Sequence, residues 1–99
     1  MADGEILALC QEMTITRDDF LRSLPAAVSH VAFAADRGEI RSLDPAHAWR
    51  IALTALPELR IGLVRLGRYR VEVFLAGYDP ARTRGFLERF ELYFRRGGG

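Results

Sequence analysis

Tyr69, Val71, Val73 and Leu75 alternate with Arg70, Glu72 and Phe74, and shortly afterwards Phe86, Leu87, Phe90, Tyr93 and Phe94 recur at helical spacing. A period of two requires a strand with one apolar side, and a period of about 3.6 requires a helix with one apolar stripe. Neither is stable until its apolar side is covered, and each is the natural cover for the other. Asp79 and Pro80 stand between them as N-cap and first helical residue. Glu88, Arg89, Glu91 and Arg95 fall on the opposite side of the helix. The chain is therefore expected to be α+β, with a long amphipathic C-terminal helix packed on one face of an antiparallel sheet.

The remaining elements are read around that pair. "LRIGLVRL" and "YRVEVFLAGY" flank Gly67 and Arg68, which read as a hairpin turn with a glycine free to take a positive φ. Thr16 followed by Asp19 is a capping pattern, and Asp18 and Asp19 fall in the first turn, where they meet the positive end of the dipole. With Phe20, Leu21 and Leu24 on one side, a helix is expected from about 17 to 24, ended or kinked near Pro25. "AAVSHVAFAADRGEIRSL" fits either a continuing helix or a hairpin that turns at "DRG", and the hairpin is favoured. In "DPAHAWRIALTALP", Asp44 and Pro45 suggest a helix start, while Trp49, Ile51, Leu53 and Ala55 alternate as a strand does. The strand is favoured because the segment from Leu59 onward is β. These elements make about four to five strands and an N-terminal helix. The first dozen residues precede Met13 and read as an extension, open to being disordered or non-native. The domain is expected over 13–96, with a glycine tail at 97–99.

Ninety-nine residues support one hydrophobic core, and 49% apolar with 27% charged residues is ordinary globular composition. The net charge of +1 hides an asymmetry: residues 1–49 hold four Arg against eight acids, and residues 50–99 hold ten Arg against five. Every basic residue is Arg, so Schiff-base chemistry and a P-loop lysine are excluded. Cys10 is the only cysteine, which removes disulfides and multi-cysteine metal sites and reads as a cytosolic thiol. The opening "MADGE" is acidic where a secretory signal is basic, and no stretch approaches the roughly 18 apolar residues of a membrane span. A cytoplasmic location away from membranes is expected.

Gly97, Gly98 and Gly99, preceded by Arg95 and Arg96, resemble the ending of ubiquitin-like and sulfur carriers of the β-grasp class. The resemblance covers only those residues, and it implies a carrier activated at its terminal carboxylate. Such carriers reach their tail from a strand, whereas here a helix leads into it. Glycines at a helix end also cap it, with arginines suited to the negative end of the dipole. Arg60, Arg65, Arg68 and Arg70 crowd the central hairpin, and Tyr69 and Tyr78 add flat rings. That mixture suits an anionic or single-stranded nucleic-acid ligand, although no RNP-like run or Gly-x-x-Gly clamp accompanies it.

His30 and His47 have no acid or cysteine at metal-ligand spacing, and Ser42, Asp44 and His47 come without a nucleophile elbow. Trp49 reads as a core aromatic. No cofactor, metal site or catalytic residue is assigned. The leading expectation is a non-enzymatic accessory or protein-interaction module that pairs with a protein partner or with itself as a homodimer through an open sheet edge. Its expected contact surface is Arg68, Tyr69 and Arg70, with Arg95 and Arg96 nearby. Nucleic-acid binding through the same arginines is the alternative.

Overall fold

The computed structural model describes residues 4–98, with side chains through Arg95. The elements are β1 (Glu5–Thr14), α1 (Arg17–Ala27), β2 (Phe33–Ala35), β3 (Glu39–Ser42), β4 (Ala48–Ile61), β5 (Val64–Ala76) and α2 (Pro80–Gly98). The strands form one antiparallel sheet in the order β1-β5-β4-β3-β2. This is the expected α+β fold, with both helices on one side of the sheet.

Alternation builds the floor of the core. Trp49, Ile51 and Leu53 of β4 and Val71, Val73 and Leu75 of β5 are buried on the helix side, joined by Ile40 of β3. Phe20 and Leu24 of α1 and Phe90 and Phe94 of α2 close the core from above. Phe94 stacks on Phe20 with ring centroids 4.6 Å apart and lies 4.6 Å from Phe90. The aromatic stripe read from the sequence thus joins the two helices as well as covering the sheet.

Both helix starts follow the sequence signals. The Thr16 hydroxyl accepts from the Asp19 amide at 3.1 Å, and Asp79 Oδ1 accepts from the Arg82 amide at 2.7 Å. α1 runs to Ala27, past Pro25, because a proline this close to the end disturbs only the final turn. No basic residue lies in that turn; Arg89 of α2 supplies the cation instead, donating from Nε to the Ala26 carbonyl at 2.7 Å. The favoured hairpin forms, with β2 paired to β3 across residues 36–38. Residues 48–61 are strand, as favoured, and Asp44 to His47 form a turn ahead of it.

Two expectations are corrected. Residues 5–12, read as an extension outside the domain, form most of β1 and pair with β5. Their alternation is hidden because a bulge at Ala8 sets Leu7 opposite Phe74 and Leu9 opposite Val73, which turns "ILAL" into an uninterrupted apolar run. The β4–β5 turn is also displaced: it is Gly62 and Leu63, with Gly62 at φ +62°, and β5 runs straight through Gly67 and Arg68. A two-residue hairpin loop needs a positive φ at its first position, which glycine takes without strain. Gly67 instead lies within β5 beside Ile15. Its carbonyl accepts from the Ile15 amide at 3.0 Å, and a Cβ there would lie 3.4 Å from the Ile15 carbonyl oxygen.

Candidate functional site

The sheet divides the expected contact residues. Arg68 and Arg70 share the side facing away from the helices, while Tyr69 packs against the core on the helix side. Arg95 lies on α2, close to Glu91, and the Arg96 side chain is outside the described residues. Of the expected cluster, Arg68 and Arg70 thus share one face and Tyr69 takes the other, while Arg95 lies on α2 near residues 11–15 at the β1 edge. Arg68 is also engaged: its Nη2 donates to Glu12 at 2.6 Å and its Nη1 to the Pro57 carbonyl at 3.3 Å.

The helix-free face is an ionic lattice. Arg50 is its hub, donating from Nε and Nη2 to the two Glu5 oxygens at 3.1 and 2.8 Å and from Nη1 to Glu39 at 3.0 Å, with its guanidinium 4.1 Å from the centre of the Phe74 ring. The Arg50 hydrogen bond holds Glu5 below its ordinary pKa, and Glu39 is lowered by Arg41 first and by Arg50 as well. The register places Glu5, Glu12, Glu39 and Glu72 on this face with Arg41, Arg50, Arg68 and Arg70. Four acids match four arginines, and Phe74 lies under Arg50. The face thus offers neither a basic track for phosphates nor a bare ring for a base.

Edge strand β1 keeps one side of its backbone outside the ladder. Bulges blunt edge pairing, and β1 carries one at Ala8. Its exposed Cys10 sits opposite Glu72 on the helix-free face.

The largest apolar exposure lies elsewhere. β1 reaches only to Thr14 opposite Arg68, and β3 only to Glu39 opposite Ala52, so residues 57–66 of β4 and β5 pair with each other alone. This projecting arm starts at a bulge, where Pro57 and Glu58 interrupt the register, as a proline within a strand requires. Beyond it Leu59 pairs with Leu66 and Ile61 with Val64 on one side, while Arg60 faces Arg65 on the other. Leu63 at the tip is fully exposed, and Leu59, Ile61 and Val64 are each more than 40% exposed. A two-stranded ribbon is marginally stable in water. One that turns four large apolar side chains outward is a surface built to be covered.

Ser42, Asp44 and His47 do meet in one loop. His47 Nδ1 lies 3.1 Å from Asp44 Oδ2, but the Ser42 hydroxyl is bonded to the Asp44 backbone, accepting from its amide at 3.0 Å and donating to its carbonyl at 3.2 Å. Asp44 is lowered in pKa first by the Ala46 amide and then by His47. These bonds build a turn and leave the serine with no base. At the other end of the chain, Gly97 and Gly98 belong to α2, and Gly99 is outside the described residues. Among the described residues, no helix is long and apolar enough to cross a membrane.

No family model, curated protein or solved structure matches this chain significantly. The arm is hard to find in the sequence because Gly67 and Arg68 offer a competing turn. The signals for it are Pro57, which marks the bulge, and "IGLV", a glycine-first loop between apolar residues.

Proposed function

We propose that this chain is a non-enzymatic cytoplasmic interaction module that associates with a second copy of itself through the β4–β5 arm. The observation that carries the reading is the uncovered apolar side of residues 57–66, bearing Leu59, Ile61 and Val64 and ending in Leu63. A second copy suits this surface because its apolar stripe has no charge to oppose its own image across a two-fold axis, so the same residues serve on both partners. The open edge of β1 is the weaker candidate because of its bulge.

Four large side chains per copy make a small interface, and weak, concentration-dependent association is expected. Sedimentation velocity over a concentration series tests the reading. The wild type is expected to shift from monomer to dimer over roughly 1–200 μM. The double variant Ile61→Thr, Leu63→Ser should remain folded and monomeric throughout. A monomeric wild type at the highest concentration, or a dimer unaffected by the double variant, overturns the arm as a self-association surface.

A further inference from the structure

Between the C-terminal end of α1 and the first half of α2 lies a cavity of about 230 Å³, walled by Val28, Val31, Trp49, Tyr78 and Phe86, with His47 at its edge. An engineered cavity of about 150 Å³ accepts benzene. This one therefore has room for a single aromatic ring with a small polar group attached.

Three features of its wall bear on what the cavity holds. Trp49 is only 3% exposed, and its Nε1 has no hydrogen-bond partner among the described residues. A buried donor in that state is costly and calls for an explanation. Next, Arg82 and Arg89 stand at the cavity, each bonded to a backbone carbonyl. Arg82 is held by the Ala46 carbonyl at 3.0 Å and lies over the Tyr78 ring at 4.2 Å. Arg89 Nε donates to Ala26 at 2.7 Å, and no carboxylate pairs with either arginine among the described residues. Ser29 in the wall and His30 beside it, at φ 55° and 61°, end α1 in the left-handed conformation common at a helix C-terminus, with the His30 amide donating to the Pro25 carbonyl at 2.7 Å.

The third feature is Gly85, an exposed residue of α2 at the rim of the cavity. Its φ is not positive, and a Cβ built there would meet no atom within 4 Å. Neither backbone conformation nor packing requires glycine here. A glycine inside a helix costs about 1 kcal/mol relative to alanine, and this exposed one leaves the rim of the cavity open. Burial also pushes the Tyr78 pKa up.

We infer that this cavity binds a monocyclic aromatic carboxylate, the ring lying among Trp49, Tyr78 and Phe86 and the carboxylate turned to Arg82 and Arg89. A ligand of this size is expected to have a Kd of about 0.1–1 mM.

Phenylacetate is the probe, and Trp49, the only tryptophan, is the reporter. Titration of the full chain should give a saturable change in Trp49 fluorescence and a shift of its indole N–H resonance. The neutral isostere phenylacetamide should bind at least tenfold more weakly, because a hydrogen bond to a charged group contributes about 1.5–3 kcal/mol. Gly85→Leu should abolish binding. Gly85→Ala should raise the melting temperature while weakening binding, a combination that separates cavity filling from misfolding. Arg89→Met should bring the affinity for phenylacetate down to that for the amide. Absence of saturation at 10 mM, about tenfold above the weakest expected Kd, overturns the inference, as does equal binding of acid and amide or full affinity in Gly85→Leu.

Discussion

Replacing Arg50 with Met should unfasten the lattice on the helix-free face while leaving the core intact. The side chain makes a two-pronged contact with Glu5 at 3.1 and 2.8 Å, a third bond to Glu39 at 3.0 Å, and a face-on contact with Phe74. Methionine keeps much of the aliphatic cover over Phe74 and removes all three charged bonds. Sheltered hydrogen bonds to charged groups contribute about 1.5–3 kcal/mol each, and exposed ion pairs about 0–1. Arg50 at 25% and Glu5 at 21% exposure lie between these limits, whereas Glu39 is more open and counts for less. With a cation–π contribution of about 0.5–1 kcal/mol, the loss comes to about 2–4 kcal/mol. In a domain of this size that lowers the melting temperature by roughly 10–20 °C.

The same lattice sets a pH dependence. Glu5 and Glu39 are both held below their ordinary value of 4.5. A carboxylate whose folded pKa is depressed contributes stability that is complete above the unfolded value and is lost as pH falls through the folded one. The difference between wild type and Arg50→Met should therefore be full at pH 7 and shrink below about pH 4.5. Urea unfolding followed by Trp49 fluorescence measures both. In a cycle with Glu5→Gln, the coupling should reach about 1 kcal/mol at pH 7. A coupling below about 0.3 kcal/mol, or an Arg50→Met loss that is the same at pH 7 and pH 3, would refute the hub.

Two further substitutions test the fold. Gly62→Ala places a side chain at φ +62° and should cost about 1 kcal/mol in urea unfolding, whereas a gain in stability would mean that the turn lies elsewhere. Phe90→Ala empties the centre of the Phe20–Phe90–Phe94 cluster and should cost about 3–5 kcal/mol; a loss under about 1 kcal/mol would show that α2 does not close the core.

The parts of the fold legible in the sequence are those where one physical signal acts alone. Asp79-Pro80 and the aromatic stripe specify α2, Thr16 and Asp19 start α1, and Val71 to Leu75 alternate without interruption. The readings that fail lie where two signals compete. At Ala8 a bulge inverts the alternation of β1, and at Gly67 a glycine within β5, bonded to Ile15, resembles a turn. The candidate surfaces are harder to read, because they depend on which neighbours a strand lacks. Arg68 and Arg70 reach the same face, but that face also gathers Glu12 from β1 and Glu39 from β3. Pro57 and "IGLV" mark the bulge and the turn of the arm, but no local pattern announces that residues 57–66 outrun both neighbouring strands, or that Gly85 lies at a cavity.

Hydrogen–deuterium exchange at low and at high protein concentration tests self-association through the arm most directly. Amides of residues 57–66 should be more protected at high concentration, with residues 5–14 unchanged. Concentration-dependent protection confined to residues 5–14 would instead make the β1 edge the interface, and protection that does not change with concentration would contradict self-association altogether.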